Sequence, residues 1–231
     1  MKILALVTAR GESKRLPGKN IRLLAGRPMI VRSIEVAKGI PEICDVLVST
    51  DDTSIAKIAS DSGAIVPWLR PSELATDTAS SVDVALHALD AYEVDKGKVD
   101  GLMLLQPTSP FRRRSTVLRG IEYFRSGQSR SVVGFSPARS HPMRCFRLEA
   151  NRMRPFVTGT NISEQTQNLV PAYVVNGSFY LITPKNLRNY RSFYSDDMIP
   201  LLMEDPMEGL DIDTDYDWEI ASFYSAKNLR L

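Results

Sequence analysis

Short apolar runs, each too short for a buried helix, alternate along this chain with stretches of helical periodicity, and that alternation limits the fold more than any other feature. Ile3–Val7 reads as a buried strand. Ile30, Ile34 and Ala37 follow at helical spacing behind Pro28, a residue favoured in a first helical turn. Cys44–Val48 reads as a second strand, Ile55, Ile58 and Ala59 as one face of a short helix, and Ile65-Val66 as a short strand. Val82, Ala85, Leu86 and Leu89 mark a longer helix, Leu102–Leu105 a strand, Leu118, Ile121 and Phe124 a helix, and Val132–Phe135 a strand. Alternation resumes at Ser178–Ile182, and a last helix runs from Asp215 to about Tyr224. The pattern predicts an α/β fold: a mostly parallel sheet with helices on both faces. In such sheets ligands bind beyond the carboxyl ends of the strands. Three polar clusters fall there, at Thr8–Asn20, Ser49–Asp52 and Gln106–Ser109.

The pattern lapses between about Arg139 and Tyr173, a stretch rich in Arg, Asn, Gln and Thr. It reads as a lobe inserted at about 139–173 into one domain spanning 1–231, and as a contact surface for a homodimer. The chain has 231 residues, 43% of them hydrophobic, and a formal net charge of +2. That balance argues against a nucleic-acid or membrane-surface partner. The two cysteines, Cys44 and Cys145, are far apart, which fits a reducing cytoplasm rather than a disulfide framework. The apolar start is too short for a signal peptide, and Arg10, Lys14 and Arg15 follow it with no small-residue cleavage site.

The first polar cluster is a basic glycine loop. Thr8–Asn20 holds Arg10, Lys14, Arg15 and Lys19, with Gly11 and Gly18 and a single acidic residue, Glu12. A polyphosphate needs backbone that can approach closely and cations that offset its charge. Glycines offer the first; Arg10, Lys14 and Lys19 offer the second, arginine as a two-oxygen grip and lysine as a point charge. The spacing is neither a Walker A sequence nor GxGxxG. Charge runs also occur as plain solvated loops; the position after the first strand favours phosphate.

Near the other end, Asp211 and Asp213 stand two apart, so in an extended segment both face the same way. Two such carboxylates disfavour joint ionisation unless a cation sits with them, and Mg²⁺ suits a site completed by phosphate oxygens and water. Asp213 or Thr214 is equally placed to cap the helix carrying Trp218. The histidines, His87 and His141, are isolated, and neither a Ser-His-Asp nor a Cys-His set is evident. What remains is phosphate binding plus a metal, which points to phosphoryl or nucleotidyl transfer, where positioning and electrostatics do most of the work.

Six stretches resemble, in order, the motifs of the acylneuraminate cytidylyltransferases (CMP-sialic acid synthetases). They are Ala9–Asn20, Ser49–Asp52, Arg70–Ser81, Leu105–Arg112, Asn176–Tyr180 and Asp211–Thr214. The resemblance implies a Rossmann-like sheet with a small dimerisation lobe, and the use of CTP and Mg²⁺. It implies that Arg10, Ser13, Lys14 and Lys19 contact the triphosphate and that Asn20 holds the nucleotide. Arg70, Ala79, Ser80 and Ser81 would frame the cytosine, although Ser80 or Ser81 is also placed to cap the next helix. Gln106, Asn176 and Tyr180 would lie near the acceptor sugar, and Asp211 and Asp213 would bind the metal. The family often has an arginine in the lobe where this chain reads Thr166-Gln167; either Arg144 or Arg147 substitutes for it, or the acceptor differs.

The implied reaction is attack by the C2 hydroxyl of a nine-carbon α-keto acid (sialic, legionaminic or pseudaminic type) on the α-phosphorus of CTP, releasing pyrophosphate. Lys19 and Arg10 would be the catalytic cations, and a metal-bound hydroxide or Asp213 the candidate proton acceptor. The alternatives are CMP transfer to 3-deoxy-manno-octulosonic acid, nucleotide transfer to a sugar 1-phosphate, or a non-catalytic nucleotide-binding regulator.

Overall fold

A computed structural model describes residues 1–127, 131–158 and 165–228. Its centre is a six-stranded sheet built from β1 (Ile3–Thr8), β4 (Ile43–Ser49), β5 (Gly101–Leu104), β6 (Val132–Pro137), β9 (Tyr173–Ile182) and β10 (Ile199–Leu202). The spatial order is β10-β6-β9-β5-β1-β4. β1 pairs in parallel with β4 and β5, and β6 with β10, whereas β9 runs antiparallel to both of its neighbours. The sheet is thus mostly parallel, as the alternation predicts, with one reversed strand at its middle. Ile65 makes a single parallel bridge with Leu47 rather than a strand.

Period-two alternation sends successive side chains to opposite faces. Ile3, Ala5 and Val7 of β1 and Met103 of β5 pack on α1 (Met29–Ala37), α2 (Thr53–Asp61) and α4 (Arg114–Ser126). Leu4, Leu6, Leu102 and Leu104 pack on α3 (Ser81–Lys96) and α5 (Pro184–Tyr190). A third cluster lies at the carboxyl-end side of the sheet: Leu16, Leu24, Met29, Leu210, Ile212, Trp218 and Ala221. It seats α6 (Asp215–Asn228) and the short hairpin of β2 (Leu23–Leu24) and β3 (Arg27–Pro28). No described helix is long and apolar enough to cross a membrane.

Within 139–173 the described residues form a hairpin outside the main sheet, β7 (Phe146–Glu149) with β8 (Arg152–Pro155). Ala150 and Asn151 turn it with positive φ. Its neck is held by Ala138 N–H donating to Ala172 O (2.9 Å) and by His141 Nε2 against Val170 O (2.9 Å). His141 is therefore structural. Cys44, read as strand packing, is exposed at the start of β4, with its thiol donating to Ile3 O.

Close packing joins α4 to β9. Phe179 is fully buried, and a Cβ on Gly120 would lie 2.4 Å from its ring. Only glycine allows that approach. Truncating Phe179→Ala opens a large cavity under α4, and urea denaturation is expected to show a loss of about 3–5 kcal/mol. A loss below ~1 kcal/mol would mean that the helix collapses onto the sheet without it.

Candidate active site

The basic loop leaves β1 at Thr8 and is fastened at three points. Leu16, 2% exposed, sinks into the third cluster. Asn20 is buried and donates from Nδ2 to Arg10 O (3.0 Å), closing the loop on itself. Gly11 N–H donates to Asp51 Oδ1 (3.1 Å). A Cβ on Gly11 would come within 2.9 Å of Asp52, the residue that caps α2 through Ile55 N–H. Gly11 is thus used to lay the loop on the end of β4, and its amide is already bonded there. Gly18 takes φ +65°, a turn conformation that favours glycine.

The loop's cations are held on carboxylates. Arg10 and Lys14 both pair with Asp77, from the segment before α3. Lys19 Nζ donates to Asp213 Oδ1 (2.7 Å) and to Ile212 O (3.2 Å), and Arg15 pairs with the other Asp213 oxygen at 2.9 Å. The cationic turn near one end of the chain and the aspartates near the other therefore meet. Those hydrogen bonds hold Asp77 below the usual carboxylate range, Lys14 contributing most and Arg10 next.

Between the loop and α3 lies a cavity of about 200 Å³. Arg10, Lys19, Asn20, Arg70, Ala79 and Ser81 reach its wall; Ser13, Lys14 and Ser80 do not. Ser80 caps α3 instead, accepting from Asp83 N–H (3.0 Å) and donating to Asp83 Oδ2. Arg70 is buried and spends its guanidinium on backbone, with Nη2 donating to Ser49 O at 2.6 Å. Burial lowers its pKa. It shapes the pocket floor.

The aspartate segment is placed by the residue between the two carboxylates. Ile212 is fully buried in the third cluster, and its N–H donates to Thr108 O (2.8 Å). Alternation then turns Asp211 and Asp213 away from the core. Thr214 caps α6: its Oγ1 accepts from Asp217 N–H, while Asp217 Oδ2 accepts from Thr214 N–H (2.8 Å) and Asp213 N–H (3.1 Å). This reciprocal box frees Asp213 from capping. Asp211 opens onto the cleft, yet the protein packed around it raises its pKa. Asp213 adds to that rise, and a hydrogen bond with Thr108 opposes it. Among the described residues no group of three or more His, Cys, Asp or Glu gathers as a metal site; the pair is what the fold offers.

A second, larger cavity of about 770 Å³ adjoins the first. Gln106 lines both. Asn176, Tyr180 and Asp211 line the larger one. Gly177 has φ +71°, and a Cβ there would lie 2.8 Å from Gln106 Oε1, so glycine is required twice over. Asn176 spends its amide locally, donating to Ser136 Oγ (3.0 Å) and accepting from Ser178 N–H (3.0 Å). Burial pushes the Tyr180 phenol up, and its hydroxyl lies 3.4 Å from that of Tyr194, also in the wall. Arg144 sits on the exposed arm and is absent from the wall; Arg147 pairs with Glu149 (2.7 Å). The cation that does reach this wall is Arg139, at the end of β6. The Thr166 side chain lies outside the described residues. Asp77 and Thr108 lie inside motif stretches but were given no role there, and Arg139 and Tyr194 were not picked out as site residues, because the sequence pattern does not tell which pocket or partner a side chain reaches.

A cation-lined pocket sharing one wall residue with a larger cleft, at the carboxyl ends of a parallel sheet, is the setting of nucleotidyl transfer. The cytidylyltransferase family model matches residues 4–216. The chain belongs to that family. It is 39% identical over 222 residues to the CMP-N,N'-diacetyllegionaminic acid synthase of Legionella pneumophila, covering 95% of this chain and 94% of that protein. It is 32% identical over 216 residues to the N-acylneuraminate cytidylyltransferase of Streptococcus agalactiae, covering 93% of this chain but 51% of that longer protein. Among solved structures, the CMP:2-keto-3-deoxy-manno-octonic acid synthetase complexed with CTP superposes with a TM-score of 0.70. That match covers 99% of this chain and all of the other at 17% identity, a likeness of fold.

In this cytidylyltransferase Asp77 occupies the two loop cations that an incoming polyanion would meet. Asp77→Asn removes that competitor without removing a cation. Isothermal titration with inorganic tripolyphosphate is expected to show severalfold tighter binding in the variant, with the gain shrinking as salt rises. Unchanged affinity would show that the anion does not reach Arg10 and Lys14.

Proposed function

We propose that this cytidylyltransferase transfers CMP from CTP to the C2 hydroxyl of a nine-carbon α-keto acid sugar, with release of pyrophosphate. The observation that carries the reading is the seam at Gln106, where the cation-lined pocket opens directly into the larger cleft beside Asp211. CTP would fill the smaller pocket, its cytosine over Arg70, Ala79 and Ser81 and its triphosphate along Arg10 and Lys19. The acid would fill the larger one. Near-full-length similarity to a diacetyllegionaminic acid synthase supports an acceptor of that type. The apolar wall of Pro137, Val174, Val175 and Leu210 suits acetamido methyl groups, and Arg139 suits the acid's carboxylate.

In the reaction the C2 hydroxyl gives its proton to solvent as its oxygen forms a bond to the α-phosphorus, and the bond from that phosphorus to the bridging oxygen breaks, leaving pyrophosphate. Arg10, with Lys14 once Asp77 lets go, would hold the departing pyrophosphate. Lys19 stands where charge builds on the α-phosphate, and stabilising that charge is its role. Asp213, bound by Lys19 and Arg15, serves to fix Lys19 rather than to take the C2 proton. The donor set fits a hard divalent cation: two carboxylates on one face of an extended segment, with Asp211 opening onto the cleft. Held by Asp211 and Asp213, magnesium would supply charge stabilisation and orientation at the α-phosphate.

A cytoplasmic homodimer completes the reading. The arm exposes Phe146, Leu148, Met153 and Phe156 together, more apolar surface than a lone hairpin keeps in water, and a second arm is its natural cover.

The test is pyrophosphate release with each nucleoside triphosphate against a panel of nine-carbon and eight-carbon acids and sugar 1-phosphates. CTP with a nine-carbon acid, diacetyllegionaminic acid foremost, is expected to turn over; turnover with the eight-carbon acid or a sugar 1-phosphate alone would overturn the reading. Asp211→Ala is expected to lower kcat about a hundredfold or more while CTP affinity changes little. In the presence of CTP, magnesium should raise the Tm of the unaltered protein and leave that of Asp211→Ala unmoved. Near-normal turnover in the variant would remove the metal role.

A further inference from the structure

Arg112 lies at the end of the Gln106–Arg112 turn and is 6% exposed. Among the described residues no hydrogen bond or ion pair ties it to a carboxylate; its fork goes to three uncharged acceptors. Nε donates to Ser178 O, Nη1 to Ser33 Oγ (3.2 Å) and Nη2 to Gln106 O (3.0 Å). Burial pushes its pKa down to about 9, with Glu208 acting the other way. A buried charge of this kind is costly, and an apolar side chain would serve packing better. What a guanidinium alone supplies is a planar fork that can reach several acceptors at fixed angles.

The acceptors sit at a particular place in the sheet. β5 and β9 pair as Leu102↔Ile182, Met103↔Leu181 and Leu104↔Tyr180, and there the ladder stops. Continued in register, Gln106 would face Ser178. The strands part at that point to open the larger cleft, and Arg112 binds the carbonyls of both. Each side carries a cleft residue: Gln106 itself on one, and on the other Asn176 and Gly177, directly before Ser178. Ser33, fully buried on α1, donates to Gln106 O as well (3.3 Å) and anchors the fork from behind.

We propose that Arg112 is the positioning residue of the acceptor cleft: it clamps the parted ends of β5 and β9 so that Gln106 and Asn176 stand at a set separation across the seam between the two pockets. The inference rests on the larger cleft being the acceptor site. It also predicts a local effect that needs no substrate.

The experiment compares the full chain with Arg112→Lys, which keeps a cation but cannot bridge three acceptors, and with Ser33→Ala, which removes one anchor of the fork. Hydrogen exchange is read at the Ser109 and Ser178 amides, which flank the clamp. Both are expected to exchange about tenfold faster in Arg112→Lys, with β1 and α1 amides unchanged. In steady-state kinetics the acceptor KM should rise about tenfold and kcat fall, while CTP binding stays within about twofold. Ser33→Ala should show the same pattern at about threefold, and it decides the matter if Arg112→Lys does not fold. Exchange rising evenly through the whole chain, or equal changes in CTP and acceptor parameters, would show a merely structural arginine. If the unaltered enzyme turned over none of the acids, the reading of the cleft would fail, but the two amides would still decide the clamp; unchanged exchange there overturns it.

Discussion

The arrangement depends on one clasp, the contact of Lys19 with Asp213 across 194 positions of chain. Alone, a partly exposed ion pair would do little, because water still reaches both partners. Here the pair is the polar surface of an apolar joint. Leu16, three residues before Lys19, and Ile212, one before Asp213, are buried in the same cluster under α6. Hydrophobic burial brings the two segments together, and the charges then have little freedom left to lose. The ion pair also directs the approach, since Asp213 takes Lys19 on one oxygen and Arg15 on the other.

The second constraint is the reversed strand. A wholly parallel sheet would place one row of loops above the strand ends. β9 enters from the opposite direction, so its start, Tyr173–Gly177, extends past the end of β5 while pairing with the end of β6. That brings Asn176 and Tyr180 to the side where Gln106 emerges, and it suspends the 139–173 arm from the same two strands. Opening a sheet between β5 and β9 leaves carbonyls without ladder partners in the interior, where an unpaired polar group is expensive. The buried fork of Arg112 meets that need, and the same geometry yields a cleft next to a pocket.

Much of this was legible in the sequence. The strands appear wherever β-branched and leucine runs are short and bounded by polar turns, and the helices wherever apolar residues recur at helical spacing. β10 was not read, because Ile199–Leu202 is brief and interrupted by Pro200, tolerable only because it lies at the sheet's edge. α5 is short for a helix, 7 residues, and carries its signal in Thr183 and Pro184 rather than in periodicity. At the site, residue types announced the chemistry and motif order announced the family, but roles within a motif were harder to assign. Ser80 and Ser81 are neighbours of identical type; helix geometry makes the first a cap and leaves the second to face the pocket. Arg144 and Arg139 lie in one polar stretch, and only the path of β6 decides that the second reaches the cleft.

The arginines and lysines of the site divide by what holds them. Arg70 and Arg112 are buried on backbone carbonyls and a hydroxyl, partners that a ligand cannot replace without unmaking the strands. Arg10 and Lys14 are held by Asp77, a side chain that can rotate, whereas Arg15 and Lys19 are held by Asp213 and Lys19 also by the Ile212 carbonyl. A polyphosphate offers more negative charge on more oxygens, so it competes with Asp77 for Arg10 and Lys14, while Arg70 and Arg112 keep their carbonyls. The loop is held before any ligand arrives because its four cations share two carboxylates, Asp77 and Asp213. Exchange of one anion for another requires side-chain rotation but little backbone movement. That economy of reorganisation is what a site acting by charge stabilisation needs, since dipoles and charges already in place do not have to be arranged during the reaction.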